Sequence, residues 1–350
     1  MSDLSPRQAV LRMAAYHPPA GGREGALRLD FNENTVGCSP AVIAALEKYA
    51  NAEAMTMYPE YEASRRELAA FFGVAESEML LTNGTDEAIQ VLVNTFVDSG
   101  DEVLLLKPCY AMYRFYAELA GAVVREVEYR QPGLEFPVEE LLSAIGPATK
   151  AILVANPNNP TGAATSLDVI AAILERAPHA AVLVDEAYFE FCGITALPLL
   201  RAYPNLFVCR TFSKAYGMAA MRIGCLFSSP ANAAHLRKAQ SPYSVNTLAA
   251  LAARGAVRDQ AYVGDYVRST LIAREQIVAG LAALGIESYP SQANFVLFQV
   301  GQRAIPIRDA LRQRGILVGD RSYELPGCLR VTCGTPAQAA RFLSDLKELW

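Results

Sequence analysis

Four short clusters hold the chemically uncommon residues of this 350-residue chain, and the first centres on Lys214. Thr211-Phe212-Ser213-Lys214 follows the apolar run LFVC, with Gly217 and Arg222 downstream. A lysine is ordinarily a solvated surface group. Set against apolar walls, beside a serine and upstream of an arginine, it suits an amine nucleophile. Ser213 and Arg222 both suit a phosphate, the arginine as a two-pronged donor. In the second cluster, Asp185-Glu186-Ala187-Tyr188, a carboxylate ends the apolar run AAVLV. Burial there is costly unless a cation meets it, and a protonated pyridine nitrogen is one such cation. A buried Asp that caps something local is the plainer reading.

The third cluster, Asn83-Gly84-Thr85-Asp86-Glu87, follows Met79–Thr82 and opens a helix. Glycine permits the tight turn, and the free N–H groups of a first helical turn attract a phosphate. The plainer reading is a helix capped by Thr85 or Asp86. The fourth is Asn156-Pro157-Asn158-Asn159-Pro160-Thr161-Gly162. These are turn formers, but two prolines stiffen the loop and suit holding an Asn amide against a ligand oxygen. A phosphate cradle, an amide, a buried Asp and an activated Lys together call for a phosphorylated pyridine aldehyde.

The elements that must position these clusters alternate regularly. Apolar β-type runs occur at Met79–Thr82, Val103–Leu106, Val123–Val127, Ala151–Ala155, Ala181–Asp185, Leu206–Arg210 and Ile223–Phe227. Helical-period segments such as Thr85–Val97 and Leu167–Arg176 separate most of them. Strands alternating with helices predict an α/β fold with a mostly parallel seven-stranded sheet covered on both faces. Ligands of such sheets bind beyond the carboxyl ends of the strands, where all four clusters fall. After Pro230 a long helical stretch runs over about 247–284. A smaller α+β pattern follows, with a strand at Asn294–Phe298, a helix near Ile307–Arg314, a strand near Leu329–Val331 and a helix at Pro336–Leu349. The expected division is an arm over 1–40, a large domain over 41–245 and a small domain over 246–350 that the arm helps to complete.

Hydrophobic residues make up 52% and charged residues 19%, with a net charge of −5. No basic face for nucleic acid or anionic membrane is indicated. No signal peptide and no apolar run of membrane-spanning length are read in the sequence. Seven cysteines are scattered without a CxxC pair and only three histidines occur, which argues against zinc and for a reduced cytoplasm.

At these residues the sequence resembles the fold-type I pyridoxal 5′-phosphate (PLP) aminotransferases, and within them the histidinol-phosphate aminotransferase family. The likeness runs from Tyr16 to the last helix. It rests on Leu29-Asp30-Phe31-Asn32-Glu33-Asn34, Tyr58-Pro59, Gly84-Thr85-Asp86-Glu87, Pro108-Cys109-Tyr110, NPNNPTG at 156–162 and VDEAYFEF at 184–191. Further matches are RTFSKAYGMAAMRIG at 210–224, PYSVN at 242–246 and CLRVTCGT at 328–335. The resemblance implies that Lys214 carries the cofactor and shuttles the proton, and that Asp185 keeps the pyridine nitrogen protonated. Asn159 and Tyr188 would hold the ring hydroxyl and Tyr110 would stack on the ring. Gly84, Thr85, Asp86, Thr211, Ser213 and Arg222 would form the phosphate site. Tyr58 would reach the partner's phosphate in a homodimer. Arg330 would receive the substrate's acidic group, and Tyr16 and Asn32 would close over the substrate. The reaction implied takes an amino donor and a 2-oxo acid, with histidinol phosphate and 2-oxoglutarate leading.

The chain departs from the family at Val318-Gly319-Asp320-Arg321, where members acting on histidinol phosphate commonly carry an arginine at the Gly319 position. Arg321 lies two residues on, the same face of a strand, and is the expected substitute. If it points elsewhere, an aromatic amino acid is the donor. A PLP decarboxylase similar to threonine-phosphate decarboxylase shares nearly all these motifs. A non-catalytic PLP-binding regulator would need an added DNA-binding segment, and none is visible.

Overall fold

A computed structural model of the chain describes residues 4–15, 21–49, 51 and 53–350; Tyr16 lies outside them. In chain order the strands are β1 (Leu27–Leu29), β2 (Met79–Thr82), β3 (Glu102–Lys107), β4 (Val123–Glu128), β5 (Thr149–Ala155), β6 (Ala181–Asp185), β7 (Leu206–Thr211), β8 (Gly224–Phe227), β9 (Phe295–Gln299), β10 (Ile316–Asp320) and β11 (Cys328–Thr332). The seven expected strands form one sheet in the order β2-β8-β7-β6-β5-β3-β4. Only β8 runs against its neighbours, antiparallel to both β2 and β7; β3 through β7 pair in parallel. Every residue of β2, β6, β7 and β8 is buried. That explains why these strands read as continuous apolar runs: both faces are covered. Alternate residues serve different cores, with Leu104 and Leu106 facing one and Val103 and Leu105 the other. The edge strand β4 carries charge instead (VVREVE), a common device against edge pairing.

The second sheet has the order β1-β10-β11-β9. The arm's β1 pairs in parallel with β10, Leu27 opposite Ile316 and Leu29 opposite Val318. Gly319 of β10 faces Arg330 of β11 across an antiparallel pair. The stretch expected as one helix over 247–284 is two, Thr247–Arg258 and Gln260–Ala283. Asp259 breaks it: its side chain accepts from Tyr262 N at 3.3 Å and caps the second helix, a job that competes with continuing the first. The first of these helices packs on Pro40–Tyr49 and Glu62–Phe72, and its alanines join the core of the seven-stranded sheet. The core under the smaller sheet draws on the second helix only from Ala273 onward. Packing therefore changes hands within that helix, later in the chain than the 245/246 boundary expected from composition.

Candidate active site

Beyond the carboxyl ends of β5, β6 and β7 lies a cavity of about 300 Å³. Asn32, Thr85, Asp86, Tyr110, Asn159, Asp185, Tyr188, Thr211, Ser213, Lys214, Arg222, Arg321 and Arg330 all line it. Parallel pairing produces the convergence. Asp185 is level with Ala155 on one side and Cys209 on the other, so the residues after β5, β6 and β7 emerge side by side.

Lys214 Nζ donates to the Phe31 carbonyl at 2.9 Å and lies 5.8 Å from the centre of the Tyr188 ring. Asp185 is buried. Its Oδ2 accepts from the Tyr113 hydroxyl at 2.8 Å and its Oδ1 from Ala187 N at 3.0 Å. Burial pushes its carboxyl above the usual range, with those hydrogen bonds pulling back. Among the described residues no cation meets it, so a protonated pyridine nitrogen is a fitting partner.

The loop after β5 spends two of its asparagines on itself. Asn156 brackets Thr165 with two hydrogen bonds, and Asn158 donates to Pro108 O and Thr161 Oγ1. Asn159 alone of the three lines the cavity, and its oxygen accepts from Arg330.

The helix Gly84–Phe96 begins without a side-chain cap on its free N–H groups, so Thr85 and Asp86 are not occupied as caps. Asp86 instead accepts from the Tyr110 hydroxyl at 2.8 Å and pairs with Arg222 Nη2 at 3.2 Å. Gly84 has φ +73, and a Cβ there would lie 2.5 Å from Arg222 Nη2. A cradle of uncapped amides, Ser213 and a guanidinium packed against glycine suits a phosphate. Thr211 supports it from beneath, its hydroxyl accepting from Ser213 N at 3.1 Å. Arg222 itself is left-handed at φ 54, as is Asn32 at φ 56. Strained backbone of this kind persists where the surroundings hold it, commonly at functional sites.

Arg330 is 2% exposed. Its Nη1 donates to Asn159 and its Nη2 to Asp30 O at 2.6 Å, while Nε has no partner. Burial, helped by the like charge of Arg321, lowers its proton affinity to about 9. Among the described residues no carboxylate pairs with it, so the cavity holds a buried cation suited to an acidic ligand. Arg321 also faces the cavity, but from the turn after β10 rather than from the strand itself, which ends at Asp320.

The arm is tied in through its backbone. Three successive carbonyls, of Asp30, Phe31 and Asn32, accept from Arg330, Lys214 and Asn294. The Asn32 side chain adds a contact, its Nδ2 donating to the Tyr188 hydroxyl at 2.9 Å. Tyr58 is elsewhere: it is 76% exposed and stacks on Tyr243 with ring centres 4.6 Å apart. Sequence reasoning missed Tyr113 and Tyr323. Tyr113 stands one helical turn after Tyr110 and shares its face, the one signal available for it.

The family model for aminotransferase class I and II matches residues 24–346. The histidinol-phosphate aminotransferase of Symbiobacterium thermophilum is 38% identical over 357 residues, covering 98% of both chains. That of Bacillus velezensis is 35% identical over 338 residues, 94% of this chain and 92% of the relative. The solved histidinol-phosphate aminotransferase of Sinorhizobium meliloti, in complex with pyridoxal-5′-phosphate, superposes with a TM-score of 0.86 at 25% identity, covering 98% of each chain. With its fold-type I architecture and a cavity built for a phosphorylated pyridine, the chain belongs to the class I and II aminotransferases and is a PLP-dependent transaminase.

Proposed function

We propose that the chain moves the amino group of histidinol phosphate to 2-oxoglutarate, a step of histidine biosynthesis, in two half-reactions through one site. The carrying observation is Arg330, a buried cation with an unpartnered Nε and no carboxylate of its own. The names of the full-length relatives point the same way.

When bound, the cofactor supplies an aldehyde for the incoming amine and a ring that takes up electron density. Lys214 would hold it, and its amine would serve as the base and acid that moves the proton at the substrate's Cα. Asp185 keeps a proton on the ring nitrogen. The Asn159 amide and the Tyr188 hydroxyl would hold the ring hydroxyl, and Tyr110 would stack on the ring. Gly84, Thr85, Asp86, Thr211, Ser213 and Arg222 form the phosphate seat. Arg330 takes the donor's phosphate in one half-reaction and a carboxylate in the other, with Arg321 beside it. Asn32 and Tyr16 belong to the arm that closes over the substrate.

The active unit is a homodimer in which Tyr58 reaches the partner's phosphate seat. Exposed Met55 and Met57 beside the Tyr58–Tyr243 stack form an apolar surface that favours such burial. An amino-terminal arm, a large cofactor domain and a small carboxyl-terminal domain divide the chain. A cytoplasmic setting suits cysteines that are all free. No helix among the described residues is long and apolar enough to cross a membrane.

Gly319 favours one second reading, an aromatic amino donor, since the strand lacks the usual cation there. Steady-state rates with histidinol phosphate and with phenylalanine, each against 2-oxoglutarate, decide between them. Absence of turnover with the phosphate ester would overturn the proposal. Sedimentation velocity and mixed-subunit complementation of Lys214→Ala with Tyr58→Ala test the dimer.

A further inference from the structure

Strand β10 ends at Asp320, and a tight turn follows. Ser322 N donates to Asp320 Oδ1 at 2.9 Å, and the amides of Glu324 and Leu325 both donate to Arg321 O. The turn gathers Arg321, Tyr323 and Glu324 at the mouth of the cavity. Arg321 Nη1 donates to the Tyr323 hydroxyl at 2.5 Å and stands 3.7 Å from Glu324 Oε2. Both partners are incompletely satisfied: Arg321 Nε and Glu324 Oε2 are buried without a hydrogen bond. Arg321 is therefore held loosely and faces the same cavity as Arg330.

Gly319 explains why the second cation arrives from a turn. A Cβ there would lie 3.2 Å from Asp30 O and 3.6 Å from Arg330 Nη2. A side chain at 319 requires the Asp30 carbonyl, which accepts from Arg330, to give by a few tenths of an ångström. Charge then depends on where Arg321 rests. Paired with Glu324 it leaves Arg330 as the one arginine of the cavity without a carboxylate partner among the described residues, which matches a carboxylate. Turned inward it adds a second, which matches a phosphate monoester carrying about −1.5 to −2 at neutral pH.

We propose that Arg321 is a switchable anion receptor, docked on Glu324 and Tyr323 when Arg330 binds a carboxylate and released onto the ligand when a phosphate monoester binds. Glu324 competes with the ligand for Arg321 and so sets the discrimination between singly and doubly charged groups. This rests on the reading of Arg330 as the receptor for the substrate's acidic end. Arg321, Tyr323 and Glu324 are then specificity determinants of the amino-transfer reaction.

Calorimetric titration of the holoenzyme with propyl phosphate and with butyrate tests this without relying on turnover. Arg321→Gln weakens propyl phosphate about 30-fold and butyrate less than about 3-fold, the scale of one charge-assisted hydrogen-bond pair. Glu324→Gln tightens propyl phosphate about 3- to 10-fold and leaves butyrate within about 2-fold. Tyr323→Phe, at an exposed side chain that does not endanger folding, tightens propyl phosphate about 2-fold. Equal effects of Arg321→Gln on both probes, or weaker phosphate binding in Glu324→Gln and Tyr323→Phe, would overturn the switch. Arg330→Gln serves as the separate control. It weakens both probes, and undiminished butyrate binding there would remove the Arg330 reading on which the switch rests.

Discussion

The hydroxyl of Tyr113 donates to Asp185 Oδ2 across 2.8 Å, and both side chains are buried. This bond favours the ionised carboxyl against a burial that disfavours it. Tyr113→Phe removes a donor from a buried carboxylate, at a cost of about 1–2 kcal/mol. We expect roughly tenfold weaker cofactor binding, read by titrating the apoenzyme and following the cofactor's absorbance. Unchanged affinity would mean that Asp185 does not depend on this partner.

Gly84 and Arg222 constrain each other. Gly84→Ala places a methyl 2.5 Å from the guanidinium and forces an L-residue to φ +73. The left-handed backbone alone costs about 1–2 kcal/mol. Displacement of Arg222 adds to that, so the dissociation constant for the cofactor rises at least about tenfold. Equilibrium dialysis of the cofactor measures it.

Arg330 makes acid binding depend on pH. Burial lowers its pKa from the ordinary guanidinium range to about 9. Below about 9 it is charged in both folded and unfolded chains, and its burial costs stability. Above about 9, up to the ordinary guanidinium range, the folded chain sheds the proton first, and stability from this group rises with pH. Ligand affinity moves the other way, because an acid needs the charged form. With 2-oxoglutarate at about 100 times its Kd, we expect Tm to rise about 4 °C at pH 7 and about half as much at pH 10. Thermal melts at the two pH values provide the check.

Glu190 gives the opposite titration. Behind the site, Arg210 pairs with Glu186 at 2.6 Å and stands 3.9 Å from Glu190. Burial pushes the Glu190 carboxyl up to about 7, with Arg210 opposing. A raised carboxyl contributes stability that is complete below its ordinary value of 4.5 and lost as pH rises through about 7. Glu190→Gln cannot ionise, so at pH 8 it should melt above the parent by a few degrees, about 1–3 kcal/mol. At pH 5 the gap closes. Equal gaps at both pH values would exclude Glu190 as the titrating group.

The parts of the site legible from residues alone are those that interrupt apolar strands. Asp185, Asn159 and Lys214 stand out because β5, β6 and β7 are buried on both faces, so a polar residue at their ends needs a reason. Tyr113 lay hidden in a run of aromatics (MYRFY) that any core helix might carry. Asp259 was missed because alanine and arginine continue the helical period on both sides and mask a local cap, its carboxylate accepting from Tyr262 N. Arg321 was expected on the strand and enters from the turn beyond it, because a period of two holds only while the strand lasts. Tyr58 stands outside the cavity of its own chain, exposed and stacked on Tyr243, so the packing around it gives no sign of a role in the site.

The arm touches two site residues, Arg330 and Lys214, and the neighbouring Asn294 through carbonyl oxygens at 30, 31 and 32, whatever side chains those positions carry. Ordinary mutagenesis of Asp30 or Phe31 changes their side-chain contacts with Arg23 but leaves those acceptors intact. Chemical synthesis reaches what genetic substitution misses. An ester in place of the amide that supplies the Phe31 carbonyl makes that oxygen a poorer acceptor, and it loosens the grip on Lys214 without altering a single side chain.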